Sequence, residues 1–285
     1  QYLSPTVIDQ IVENPDMLQL GGEKREMTPF FSDVQGFSTI SEGLTPEELV
    51  QLLNEYLTAM CDIISSHNGT IDKFEGDAII AFWGAPLDQP DHATVACYAA
   101  IEMQQRNEEM RQMLREQNRP LLFTRMGLNS GPVVVGNMGS ADRMDYTMMG
   151  DVVNLAARLE GANKFYKTFT MVSGSTYELA KDDIDSRQLD IIRVVGKKEP
   201  VHVYEVLARK NETGSEMSGV VEQYLKGLKL YQDRNFADAV KEFEKVLDID
   251  QEDGPSLTYV KRCGVFLETP PEKDWDGVYT FTEKG

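Results

Sequence analysis

The sequence predicts an α+β fold, a βαββαβ core with extra C-terminal elements followed by a small α-helical tail. Three observations carry this. Between residues 26 and 207 the apolar spacing switches repeatedly from a period near 2 to a period near 3.6. The first six segments run strand, helix, strand, strand, helix, strand, the split βαβ order of ferredoxin-like folds. A polar stretch over 209–218 then precedes a segment, 220–253, that reads as helical.

Taken in order, Val7, Ile8, Ile11 and Val12 stand at helical spacing within 5–18, ahead of a Gly21-Gly22 break, and predict a short lead-in helix. Residues 27–32 read as a strand running into Asp33, and a loop follows. Thr45-Pro46-Glu47-Glu48 then supplies an N-cap, a first-turn proline and an N3 carboxylate. The helix they start carries Leu49, Leu52, Leu53, Tyr56, Leu57, Met60 and Ile64 on one side, and Asn68-Gly69 ends it. Residues 70–74 and 78–83 form two short strands around a turn at Glu75-Gly76-Asp77. A long helix over 91–117 and a strand over 122–128 complete the core. In that topology the first strand runs antiparallel to the third, so Asp33 and Asp77 meet at one end of the sheet.

The extra elements are a strand near 133–136, a helix over 151–163, a strand over 170–172, a short helix, and a hairpin of 189–195 and 201–207. Residues 220–253 resemble one tetratricopeptide unit through Gly227, Tyr231, Phe236, Ala239 and Phe243, without the proline that commonly closes it. One unit cannot bury its own apolar face, so it is expected to dock on the core or on a partner. The stretch 270–285 reads as irregular. The expected division is a lead-in over 1–25, a catalytic domain over 26–207, a linker over 208–218 and a tail over 219–285.

Composition narrows the function. A formal charge of −19 over 285 residues argues against a nucleic-acid track, which needs excess Lys and Arg to displace counterions. Three scattered cysteines form no CxxC pair, which disfavours a zinc knuckle and suits a reducing compartment. The apolar runs are of strand length, far below a membrane span. The chain opens on Gln1 without a signal-peptide pattern and reads as a piece of a longer polypeptide.

Two motifs carry the chemistry: Phe31-Ser32-Asp33-Val34-Gln35-Gly36-Phe37-Ser38 and Lys73-Phe74-Glu75-Gly76-Asp77. Each sets an aspartate at a strand end beside a glycine. Two carboxylates there suit magnesium, a hard cation that takes oxygen ligands and substrate phosphates. Gly36 lets backbone approach a phosphate, and the N–H groups from Phe37 onward can cradle it. For either aspartate alone the turn reading is favoured; their convergence at adjacent strand ends favours the functional reading. A third motif, Arg143-Met144-Asp145-Tyr146-Thr147-Met148-Met149-Gly150-Asp151-Val152-Val153-Asn154-Leu155-Ala156-Ala157-Arg158-Leu159-Glu160, places Asn154 and Arg158 on one helix face.

With these three motifs, residues 26–207 resemble the catalytic domain of class III adenylyl and guanylyl cyclases. The resemblance implies an adenylyl cyclase that converts ATP to 3′,5′-cyclic AMP and pyrophosphate with two Mg²⁺ ions, Mn²⁺ being able to substitute. It implies that Asp33, Asp77 and the carbonyl of Val34 hold the metals. Lys73 and Thr147 then read the purine, a Lys/Thr pair of the class IIIb kind, where guanylyl cyclases usually carry Glu at the first position. Asn154 and Arg158 orient the ribose and stabilise the pentavalent phosphorus, and Lys197 holds the terminal phosphates. It further implies a homodimer with shared sites, Asp33 and Asp77 from one chain and the remaining groups from the other. In family terms the piece is the cytoplasmic output module of a signalling protein, behind an upstream sensor domain and in some members a membrane anchor. Pro29 in the first strand and Val195 before the Gly-Lys turn depart from the family pattern. Two other readings stand beside this one: a guanylyl cyclase, disfavoured by Lys73, and a non-catalytic module whose tail binds a partner.

Overall fold

The computed structural model describes residues 12, 21–140, 143–193 and 199–280. Its first half runs β1 (Gly21–Val34), α1 (Phe37–Glu42), α2 (Pro46–Ser66), β2 (Thr70–Glu75), β3 (Ala78–Trp83), α3 (His92–Glu116) and β4 (Thr124–Leu128). Next come β5 (Gly131–Gly139), β6 (Met144–Met149), α4 (Asp151–Tyr166), β7 (Thr170–Ser173), α5 (Gly174–Ala180), β8 (Ile184–Arg193) and β9 (Val201–Arg209). Helices α6 (Ser215–Gln232), α7 (Phe236–Ile249) and α8 (Gly254–Glu268) and a two-residue β10 (Tyr279–Thr280) follow. The fold is mixed α+β with a C-terminal helical region. Apart from position 12, the lead-in predicted over 5–18 lies outside the described residues.

The strands are ordered β10-β8-β9-β7-β4-β1-β3-β2, with β5 and β6 attached through β1. The central β1 serves three partners: residues 21–27 pair with β5, 28–32 with β3 and 30–34 with β4, all antiparallel. The strand is therefore longer than the predicted 27–32. Gly21-Gly22, read as a break, is ladder backbone lying close to β5. Pro29 is neither at an edge nor at a strand start. It falls where the β5 ladder has ended at Met27 and the β4 ladder has not begun at Phe30, so on that side its missing N–H breaks no bond.

Local signals account for the helices around the sheet. The Thr45 hydroxyl accepts from the Glu48 N–H, and the Glu48 carboxylate accepts from the Thr45 N–H at 2.9 Å, a capping box that starts α2. Helices α2 and α3 bury Leu52, Tyr56, Met60, Ala96, Cys97, Ala100 and Met103 against Phe30, Ile79, Ala81 and Trp83. Full burial of each large apolar side chain there contributes about 1.5–3 kcal/mol. Two elements ahead of α4 were not foreseen. The segment after Gly36 forms the one-and-a-half-turn α1 rather than a loop, and β6 occupies the motif before α4. Its signal was alternation: Tyr146 and Met148 point inward while Met149 is exposed.

Consecutive residues of β7 send Val172 to the α2–α3 face and Met171 to the other. On that second face α4 and the C-terminal helices close one core, in which Tyr166, Leu189, Ile192 and Val203 meet Tyr224, Tyr231, Phe243 and Tyr259. The hydroxyls of Tyr224 and Tyr259 both donate to the Leu189 carbonyl, at 2.9 and 2.8 Å. Buried ions fasten the same contact: Arg187 of β8 to Asp253 at 2.6 Å, and Arg262 of α8 to Asp190 at 2.6 Å. The third helix, α8, was not anticipated. Among the described residues no helix is long and apolar enough to cross a membrane.

Candidate active site

Because β1 and β3 are antiparallel, the end of β1 lies beside the β2–β3 turn. The Val34 N–H donates to Asp77 Oδ2 at 2.9 Å, which brings Asp77 alongside Asp33 as the topology required. Gly36 follows with φ 69° and ψ 22°, the left-handed region that costs a residue bearing Cβ. Its carbonyl accepts from the N–H groups of Thr39 and Ile40, and Phe37 opens α1 while packing against the core beneath. The loop thus exposes a helix start next to two carboxylates.

Burial raises the Asp77 carboxyl above its ordinary range; the Val34 N–H opposes this, and the charge of Asp33 adds to the rise. Paired carboxylates in this state are relieved by a cation. Among the described residues no group of three or more His, Cys, Asp and Glu is arranged to hold a metal. Two carboxylates and a nearby backbone carbonyl nevertheless fit Mg²⁺, which is commonly held by one or two carboxylates and completed by substrate phosphates.

Sequence reasoning missed two residues here. Arg125 stands opposite Asp33 in the β1–β4 register and donates to Asp33 Oδ2 at 3.2 Å. Its Nε lies 3.0 Å from Glu160 Oε1 of α4 as an ion pair out of line for a hydrogen bond. Burial pushes the Glu160 carboxyl up to about 7; Arg125 opposes the rise, and Asp33 and Asp77 add to it. The available signal was a lone charged residue inside a central strand, Thr124-Arg125-Met126-Gly127-Leu128. Helix α4 can approach because a Cβ at Gly127 would sit 2.1 Å from the Glu160 nitrogen, leaving room for glycine alone.

A second group gathers on β2 and β6. The Thr147 hydroxyl donates to Asp72 Oδ2 at 2.6 Å, and Lys73 Nζ lies 3.5 Å from Asp72 Oδ1. Burial raises the Asp72 carboxyl, while Thr147 and Lys73 oppose the rise. Lys73 and Thr147, named from sequence, are therefore joined by a residue that was not. Asn154 and Arg158 lie on the first turns of α4, with Asn154 exposed and Arg158 half-buried. Among the described residues, no hydrogen bond or ion pair links the Asp33–Asp77 pair to the Lys73–Thr147 pair. Lys197 and Val195 lie outside the described residues.

The adenylate and guanylate cyclase catalytic domain family matches residues 22–208. Adenylate cyclase 1 of Rhizobium meliloti (strain 1021) is 39% identical over 184 residues, which are 65% of this chain and 28% of that protein. The adenylate cyclase of Anabaena cylindrica is 35% identical over 191 residues, 65% of this chain and 37% of the relative. This chain thus spans well under half the length of these curated relatives. The crystal structure of the adenylyl cyclase CyaB from P. aeruginosa matches with a TM-score of 0.62 and 40% identity, covering 68% of this chain and 100% of that one. The guanylyl cyclase Cya2 matches with a TM-score of 0.61 and 38% identity over 68% of this chain and 98% of that one. Overall likeness is nearly equal for proteins named for the two substrates, so substrate choice has to be argued from individual side chains.

Proposed function

We propose that this chain, which belongs to the class III adenylate and guanylate cyclase catalytic domain family, cyclises ATP to 3′,5′-cyclic AMP with release of pyrophosphate. The observation that carries the reading is the meeting of Asp33 and Asp77, 44 positions apart in sequence, at one sheet end beside the Gly36 turn that opens α1. In the reaction the ribose 3′-hydroxyl gives up its proton to solvent, its oxygen forms a bond to the α-phosphorus, and the bond from that phosphorus to the β-phosphate bridge breaks to release pyrophosphate.

Asp33, Asp77 and the Val34 carbonyl are the residues that would hold two Mg²⁺ or Mn²⁺ ions. Such ions, when bound, lower the pKa of the 3′-hydroxyl and neutralise the leaving pyrophosphate. Gly36 and Phe37 present backbone N–H groups to the phosphates. Asn154 orients the ribose, and Arg158 meets charge that develops at the α-phosphorus. Lys197 holds the terminal phosphates. Lys73 donates toward adenine N1, and Thr147 receives the 6-amino group.

From the resemblance we take the sites to be shared across a head-to-tail homodimer, and the β1–β4 region to be ferredoxin-like. Residues 26–207 are then the catalytic domain and 208–218 the linker. Residues 219–285 form a tetratricopeptide-like tail that serves stability or coupling behind an upstream sensor. The test is direct: purified chain is incubated with ATP or GTP and Mg²⁺ or Mn²⁺, and cyclic nucleotide is measured. Cyclic AMP from ATP is expected, with loss of more than 99% of the rate in Asp77→Ala. A folded dimer that yields no cyclic nucleotide from either substrate would leave the partner-binding reading in its place.

A further inference from the structure

Asp72 lies outside the motif residues to which a role was assigned, yet its side chain is 2% exposed. Three donors converge on its carboxylate. The Thr147 hydroxyl donates to Oδ2 at 2.6 Å, the Met148 N–H bonds to it, and the Lys73 ammonium stands 3.5 Å from Oδ1. Oδ1 itself is buried without a hydrogen bond. Strands β2 and β6 do not share a ladder, so the carboxylate is the bridge between the two side chains that the proposed function directs at the purine. Enclosing a carboxylate is costly unless donors answer it, and here two of the donors are those same side chains.

We propose that Asp72 is a specificity-determining positioning residue that fixes the hydrogen-bonding polarity of Thr147 and steadies the Lys73 ammonium. The inference rests on the assignment of Lys73 and Thr147 to the base. A threonine hydroxyl can donate or accept, whereas an ionised carboxylate only accepts. With its hydrogen committed to Asp72, Thr147 Oγ1 offers the base lone pairs alone. The 6-amino group of adenine is a donor and matches. The 6-oxo group of guanine is an acceptor, and the two oxygens would face each other. Lys73, drawn toward Oδ1, turns its remaining hydrogens to N1, which accepts in adenine and carries hydrogen in guanine. One such mismatch is worth about 10-fold to 100-fold in discrimination.

The test compares kcat/KM for ATP and GTP in the intact chain, in Asp72→Leu, in Thr147→Val and in the double variant. Asp72→Leu is of similar size but offers no acceptor oxygen. The Thr147 hydroxyl then has no carboxylate to donate to and its hydrogen is free to turn to the base, while Lys73 loses the charge that steadies it. The ATP:GTP ratio is expected to fall about 10-fold or more in protein that circular dichroism and sizing show folded and dimeric. In the Thr147→Val background the same change should move the ratio much less, because no hydroxyl remains to reorient. A ratio unchanged within about twofold in folded Asp72→Leu overturns the inference while the ATP-cyclase reading stands. An equal fall with and without Thr147 overturns it too. An intact chain that prefers GTP removes the reading and the inference together.

Discussion

Arg262→Met tests how the C-terminal helices are fastened to the sheet. Arg262 Nη1 lies 2.6 Å from Asp190 Oδ2, and the two side chains are 8% and 2% exposed. Its guanidinium also lies 3.7 Å from the Tyr279 ring centroid and 4.9 Å from that of Tyr259. Methionine keeps much of the apolar stem but leaves Asp190 as a buried charge. Removing one partner of such a pair costs about 3–5 kcal/mol. Two donors would remain to Asp190, the Tyr166 hydroxyl at 2.6 Å and the Ile191 N–H at 2.7 Å. The lower end, about 3 kcal/mol, is therefore expected. At roughly 2–4 °C per kcal/mol for a chain of this size, Tm should fall by about 6–12 °C. Adding Asp190→Asn removes the stranded charge, keeps an acceptor for the Ile191 N–H and lets the amide N–H₂ donate to the Tyr166 oxygen, so the double variant should regain at least half of the loss. Thermal unfolding followed by circular dichroism reads both effects. A single variant within about 2 °C of the parent, or a double variant no better than the single, would refute this account of the docking.

Three further outcomes are expected. Burial takes the Glu160 carboxyl from 4.5 to about 7, so between those values the folded chain binds more protons than the unfolded one and stability falls as pH rises. With one unit worth about 1.4 kcal/mol, this contribution reaches about 3 kcal/mol at most above pH 7. In the presence of a chelator, Glu160→Gln should therefore gain stability over the parent between pH 5 and pH 8 in urea unfolding, and an identical pH dependence would count against the raised carboxyl. Co-expressed Asp33→Ala and Arg158→Ala chains should recover activity that neither has alone, because one of the two sites in the heterodimer keeps all its groups; an inactive confirmed heterodimer would end the shared-site proposal. Deleting residues 219–285 should leave Mg²⁺-dependent cyclisation detectable but lower Tm sharply, since it uncovers Tyr166, Leu189, Ile192 and Val203. A truncation as stable as the parent would show that this face needs no cover.

What the chain order determined by itself was local or strictly periodic. The Thr45–Glu48 capping box, the α2 stripe and the two short strands around Asp77 are specified within a few residues, and the structure reproduces them. Asp33, Gly36 and Asp77 could be placed for the same reason, since each stands at a strand end or turn that its neighbours dictate. Partnerships across strands and layers were not legible. Arg125 meets Asp33 only because β4 pairs with β1 in one register, and a slip of one residue would turn it to the other face. Asp72 reaches Thr147 only because β1 carries the β5–β6 hairpin beside β2, a placement that spans 75 positions of sequence. The third C-terminal helix could not be inferred from one repeat-like unit, because its Tyr259 and Phe266 pack on Tyr231, Phe236 and Phe243 of the two helices before it while Arg262 and the Tyr259 hydroxyl reach Asp190 and Leu189 of β8. Sequence determines what each segment can bury; which buried surfaces and charges answer one another is decided when the segments pack.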